Sequence, residues 1–384
     1  MAQSVVGVDI GYETAKLASL ARAGAGWKLG GMALAKIPVN PWKTDGLVDV
    51  DKIAAIIRQA LAEAHPHPIT TKRAMVALPE SVIFSATFPF QDLPPHELKE
   101  ALPFEIAEKL SINLEEYCFD YEEVTSKCRP IENSAPAPTK PGEKTPATKP
   151  VQPLDSAQGK SSESAPLDNA RGKQGKSDGT TTKPEDSAAP TAETGDPAKR
   201  LTIFAVAAKK SLIDSLLELC EKAGLELAAI DVKPGAIARA AVKNEDGKIR
   251  LLVDMGMGGT SASILEGKSL RVTATIPWGI HAITNVITEP VENLRDKAAP
   301  VFDELVHISK FFENRICPGH KIEELIISGS GATIPNVVDV FHQETGLPVA
   351  LSTPFTSVDT GRYKVPPEMA HTFADAIGLA MRVA

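Results

Sequence analysis

Two short stretches of this chain repeat one residue pattern suited to handling an anion. VVGVDIGYET (5–14) and RLLVDMGMGGT (250–260) each run an apolar strand into Asp-x-Gly, followed by small or polar residues that let the chain reverse. Glycine permits positive φ and close backbone approach, so the N–H groups of such a turn can face an anion. Gly11 and Thr14 in the first copy, and Gly256, Gly258, Gly259 and Thr260 in the second, are the candidate residues for that contact. Asp9 and Asp254 sit at the two strand ends, where they could hold a hydrated divalent cation such as Mg2+ between them. A third stretch, ELIISGSGATIPNVVDVF, sets Ser328, Gly329, Ser330 and Gly331 between a strand and a helix expected to open near Pro335. Glycine turns and helix N-termini suit ribose or phosphate contacts. A lone V-D-x-G is common at strand ends. The pair, opening two similar α/β halves, is the informative feature.

The elements that must position these turns are legible from periodicity and punctuation. VVGVDIG, a strand near 29–37 and a helix near 51–64 form a first α/β layer. TKRAMVALP and VIFSATFPF read as strands, followed by a helix near 96–110 and the strand CFDYEEV. LTIFAVAAK is a further strand; SLIDSLLELCEKAG carries apolar residues at helical spacing and ends in Gly224, a good C-terminal cap, before the strand LELAAIDV. LLVDMG, TSASIL and LRVTATIP form a second strand set. A long helical pattern near 297–314, the strand ELIISGSG, and helices near 336–345 and 373–382 complete the chain. Between Lys127 and Lys199 there is no Phe, Trp or Tyr, and Pro, Ser, Thr, Ala, Gly and Lys crowd the sequence. Such a segment cannot bury enough apolar area to offset its conformational entropy, so 127–199 is expected to be disordered. Set between two strands of one α+β unit, it reads as an expanded hairpin loop, and loop-closure entropy rises slowly with length. Removing residues 130–198 is accordingly expected to leave the core intact.

With the two Asp-x-Gly hairpins and the late glycine turn in place, the chain resembles the actin/Hsp70/hexokinase fold, and within it the type IV pilus assembly protein PilM family, itself similar to FtsA. VGVDIGYETAKLASL resembles that family's opening phosphate hairpin, with Lys16 where the family keeps a lysine. FPFQDLPPHELKEALPFEIAEKLSINLEEYCFDYEEV resembles its small inserted subdomain. IFAVAAKKSLIDSLLELCEKAGLELAAIDVKPGAIARA resembles the following strand and helix, with the connection near Asp231 and Pro234. SGSGATIPN, Pro354-Phe355 and ADAIGLAMR resemble its carboxy-terminal pattern. The resemblance implies an α/β, actin/Hsp70-like two-lobed fold with an inserted small α+β subdomain and a reduced outer subdomain on the second lobe. The expected boundaries are 1–90 with 233–247 for the first lobe, 91–232 for the inserted subdomain, and 248–384 for the second lobe.

The same resemblance implies ATP and Mg2+ as ligands. The two hairpins and Lys16 would take the phosphates, Gly329, Ser330 and Gly331 the adenosine, and Asp9 and Asp254 the metal. Three departures bear on this. Tyr12 and Glu13 stand where the family keeps small hydroxyl residues, and Glu13 would repel a phosphate unless turned away. Only a short connection joins Gly279 to Glu304, where actin-like folds carry adenine contacts. His307 and Ile308 replace the family's basic-Ser pair. ATP binding is expected to be weak or lost. No catalytic residue is identifiable, since the eight histidines form no ligand or triad pattern; slow ATP hydrolysis is the sole enzymatic candidate.

The implied function is therefore a cytoplasmic scaffold of the inner-membrane pilus platform. It would capture the cytoplasmic amino-terminal tail of a PilN-like single-pass membrane protein in a groove framed by residues 74–90 and 200–232. The alternatives are an actin-like ATPase or a component of a related type II secretion or competence machine. Composition agrees by exclusion. Apolar residues make up 43% of 384, enough for a sizeable core, while aromatics are 5% and the formal charge is −8, which argues against a nucleic-acid or anionic-lipid face. No apolar run reaches the ~18 residues of a membrane span. With the fold's last helix expected near 373–382, an FtsA-like amphipathic anchor is not expected. Four cysteines with no CxxC pair suit a reduced compartment and argue against a disulfide framework.

Overall fold

The computed structural model describes residues 4–124, 200–242, 246–283 and 290–382, all within one compact unit of the chain. The stretch 127–199, expected to be disordered, lies outside the described residues.

Strand β1 (Val5–Ile10) is buried at every position, as a strand covered on both faces should be. It turns into β2 (Thr14–Ala23) and then β3 (Gly26–Lys36), all antiparallel. Helix α1 (Val50–Ala62) buries Ile53, Ala54, Ile57, Ala60 and Leu61, a stripe at helical spacing, against the core beneath this sheet. It leads to β4 (Arg73–Leu78), which pairs parallel with β1. The chain then leaves the lobe. β5 (Phe84–Gln91), α2 (Pro95–Leu110), β6 (Tyr117–Glu123) and β7 (Arg200–Lys209) form a three-stranded antiparallel sheet in the order β5–β7–β6, with α2 packing Leu102 and Ile106 on it. The strands flanking 127–199 thus pair with each other, Tyr117 opposite Lys209.

Helix α3 (Lys210–Ala223) ends at Gly224, whose φ of 75° is the left-handed cap expected there. Strand β8 (Glu226–Val232) follows and pairs parallel with β4, Glu226 opposite Arg73. The placement differs from the boundaries read in the sequence. α3 buries Leu212, Leu216 and Leu219 in the first-lobe core, so 210–232 belongs to that lobe, while β5 belongs to the inserted sheet. A parallel pair needs a crossover helix, and α3 supplies it.

After α4 (Lys233–Ala241) the architecture repeats. β9 (Ile249–Met255), β10 (Thr260–Glu266) and β11 (Ser269–Ile276) are antiparallel neighbours. α5 (Ala299–Phe311) covers them, and the long helical pattern ends in one wider turn, Phe312–Ile316. β12 (Glu324–Ser328) pairs parallel with β9, and β13 (Val349–Leu351) with β12; between them lies α6 (Val337–Thr345). The second sheet runs β11–β10–β9–β12–β13 and the first runs β3–β2–β1–β4–β8, one topology used twice.

Two small-residue helices cross between the lobes. α4 lodges Ile237 and Ala238 among Leu252, Leu265 and Ile326 of the second lobe. α7 (Ala374–Ala380) lodges Ala376 and Ile377 among Ala18, Leu20 and Met32 of the first. Each lobe therefore sends a helix into the other's core. The crossing is tight: a Cβ on Gly378 would lie 1.7 Å from the Ala236 carbonyl oxygen, and one on Gly7 would lie 2.0 Å from that of Ala376. Cys118 and Cys220 are free, whereas Cys317 is disulfide-bonded, against the expectation of reduced thiols throughout. The sequence carries no paired-cysteine motif to signal such a bond.

Candidate functional site

The β1–β2 and β9–β10 turns close in the same way. Gly11 N–H donates to the Thr14 carbonyl at 2.8 Å, and Gly256 N–H donates to the Gly259 carbonyl at 2.9 Å. Both turns line one cavity between the lobes, together with Lys16, Asp254, Thr260, Gly329 and Ser330. The structure thus brings together nearly every residue singled out in the sequence. Gly258 meets the cleft differently, its Cα packed beneath the Tyr12 ring, where a Cβ would lie 3.0 Å from Cδ1. Gly331 is a packing residue: a Cβ there would come within 2.4 Å of the Met255 Cβ. The glycine turn also departs from expectation, because a short 3-10 turn, Ser330–Thr333, intervenes before α6 opens at Val337. Gly329, at φ 79°, lets the backbone pass Asp254, whose Oδ1 would lie 2.5 Å from a Cβ.

Below the turns sits a buried charge cluster that sequence reasoning only half found. Asp9 has no exposed side chain and accepts from Lys16 Nζ at 2.8 Å through Oδ2, while Lys233 Nζ lies 2.5 Å from Oδ1. Lys233, at the start of α4, also lies 3.8 Å from Asp375 at the start of α7. Burial alone would push the Asp9 carboxyl up, but Lys16 and then Lys233 outweigh it and hold it well below the usual carboxylate range. Burial raises Asp254 and raises Asp375 far more, the latter helped by the charges of Asp9 and Asp254. Glu80, which lines the same cleft with its carboxyl turned inward, is pushed up to about 7 by burial. Lys233, Asp375 and Glu80 are the residues missed. A single lysine before Pro234, and an acid opening a helix, look like ordinary surface and capping choices.

The residues present do not suit a hydrated Mg2+ bridging Asp9 and Asp254. Both Asp9 oxygens already touch ammonium groups, and among the described residues no three His, Cys, Asp or Glu side chains converge to hold a metal. Nor does the cleft have room for a nucleotide as it stands. Its cavity is about 80 Å³, against ~300–1,000 Å³ for ordinary ligand clefts. Tyr12 fills the gap between the hairpins, and Glu13 Oε1 meets His281 Nε2 at 2.7 Å across it. Glu13 is thus turned to a partner on the second lobe.

A second concavity, of about 450 Å³, opens between the first-lobe sheet and the inserted subdomain. Leu78, Ile83, Phe204, Val206 and Ile230 give it an apolar floor, and Asp231, paired with Arg239 and with Arg382 at 3.4 Å, closes one end. The segments expected to frame a groove, 74–90 and 200–232, both contribute to it. It is flanked by β6 and β8, each the outermost strand of its sheet among the described residues.

Two sheets of one topology, each offering an Asp-x-Gly hairpin to a shared cleft and each lending a helix to the other, place this chain in the actin-like class of two-lobed α/β proteins. Its fold is that of PilM. A structure of the PilM-PilN type IV pilus biogenesis complex matches with a TM-score of 0.67 at 17% identity, covering 98% of this chain and 97% of that one. A structure of MreB 5 of Spiroplasma citri bound to AMPPNP gives a TM-score of 0.42 at 10% identity, covering 98% and 94% of the two chains. In sequence, the chain is similar to the cell division protein FtsA of Bacillus subtilis (strain 168), 28% identical over 103 residues. That match spans 27% of this chain and 23% of FtsA. No protein-family model matches.

Proposed function

We propose that this chain is a scaffold subunit of a type IV pilus assembly platform, and that it holds an extended segment of a PilN-like membrane partner in the groove beside the inserted subdomain. The observation that carries the reading is the pair of strand edges, β6 and β8, bordering an apolar-floored groove of about 450 Å³. An edge strand presents unpaired N–H and C=O groups, so an incoming peptide gains backbone hydrogen bonds, and the pockets beneath select alternate side chains. The full-length likeness to a PilM structure solved with PilN supports the choice of partner. No described helix is long and apolar enough to cross a membrane, so membrane association on this reading runs through the partner, at the cytoplasmic face of the inner membrane. Catalysis is no part of the proposal.

Calorimetric titration of the purified chain with a peptide of the partner's amino-terminal tail tests this. Tyr121 lines the groove with 40% of its surface exposed, and Val206 is partly buried in its floor. Truncating Tyr121 to Ala and charging Val206 to Glu should each weaken binding at least about tenfold, ~1.4 kcal/mol, without displacing the fold. Peptide that binds both variants as it binds the unaltered chain would refute the groove as the docking site.

A further inference from the structure

We infer that the Lys233 ammonium is the resident cation of the interlobe cleft, standing on Asp9 in the place a divalent metal would take. The inference concerns a different site from the groove and does not depend on the docking proposal. Lys233 Nζ lies 2.5 Å from Asp9 Oδ1 and 3.8 Å from Asp375 Oδ2, and Lys16 Nζ occupies the other Asp9 oxygen at 2.8 Å. Side-chain exposures in this set are 11% for each lysine, 0% for Asp9 and 6% for Asp375, so water contributes little to balancing the charges.

The position of Lys233 is itself informative. It opens α4, where the partial positive charge of a helix N-terminus disfavours a cation. A lysine is sustained there because its ammonium reaches away from the helix to the end of β1 and the start of α7. It therefore joins three elements that meet at the cleft, as a bridging metal does. Asp254 lies on the far side of the same cluster, and its Oδ1 has no hydrogen-bond partner. The consequence is that the cleft needs no metal to balance Asp9.

Two measurements on the full chain test this. Calorimetric titration of metal-stripped protein with Mg2+, and separately with Mn2+, should show no saturable binding in the millimolar range. Saturable binding that Asp254→Asn abolishes would overturn the inference. Lys233→Gln removes the resident cation, so its thermal midpoint should fall in EDTA and recover in part with millimolar Mg2+, but not with NaCl of equal ionic strength. In the double variant Asp9→Asn, Lys233→Gln the Mg2+ response should vanish. A folded Lys233→Gln chain indifferent to Mg2+ would contradict the stand-in role. Should that variant not fold, the titration of the unaltered chain decides alone.

Discussion

Asp9 illustrates how a few residues govern the centre of this molecule. A carboxylate with no exposed surface is costly on its own, and here two ammonium groups make it tolerable. Replacing Asp9 by Asn should strand Lys16 and Lys233 in the interior and cost about 3–5 kcal/mol in urea denaturation. Glu80 makes the opposite case. Burial raises its folded pKa from 4.5 to about 7, so the native state favours the protonated form. Its contribution to stability is then fully present below pH 4.5 and is lost as pH rises through about 7. Glu80→Gln should flatten the fall in stability across that interval and leave the variant more stable than the unaltered chain at pH 8, which denaturation at a series of pH values measures directly. Asp9, held low, contributes in the other direction: its share is present above the ordinary Asp range and disappears in acid.

At the scale of elements, the crossing of α4 and α7 is where sequence and structure are most tightly bound. Gly378 has no room for a methyl group, since its Cβ would lie 1.7 Å from the backbone oxygen of Ala236, which cannot rotate away. Gly378→Ala is expected to force the helices apart and to lower stability by about 3 kcal/mol or more, read from the midpoint of chemical unfolding. The helix stripes of α1 and α3, the Gly224 cap and the repeated Asp-x-Gly hairpins were all legible in the sequence, because each is written in residues close together along the chain. Lys233, Asp375 and the membership of β8 were not. Lys233 becomes a cluster residue because a parallel pairing between β8 and β4 delivers the start of α4 to Asp9, more than two hundred residues away in sequence. Nothing local distinguishes that lysine from one that faces water. The same non-locality explains why α3 and β8 were read with the inserted subdomain they follow.

For the whole molecule, the two lobes are held by interleaved helices and a buried ionic cluster, and the interlobe cleft is closed by Tyr12 against Gly258. The open concavity lies elsewhere, beside the inserted subdomain, with two sheet edges at its rim. On the proposed function, partner capture falls to the groove and a structural role to the cleft. Hydrogen–deuterium exchange on the full chain, with and without the partner's tail peptide, tests that assignment most directly. Peptide should slow exchange at amides of Tyr117–Glu123 or Glu226–Val232 and leave the Gly11–Thr14 and Gly256–Thr260 turns unchanged. Protection confined to those two turns, with both strand edges exchanging as before, would contradict it.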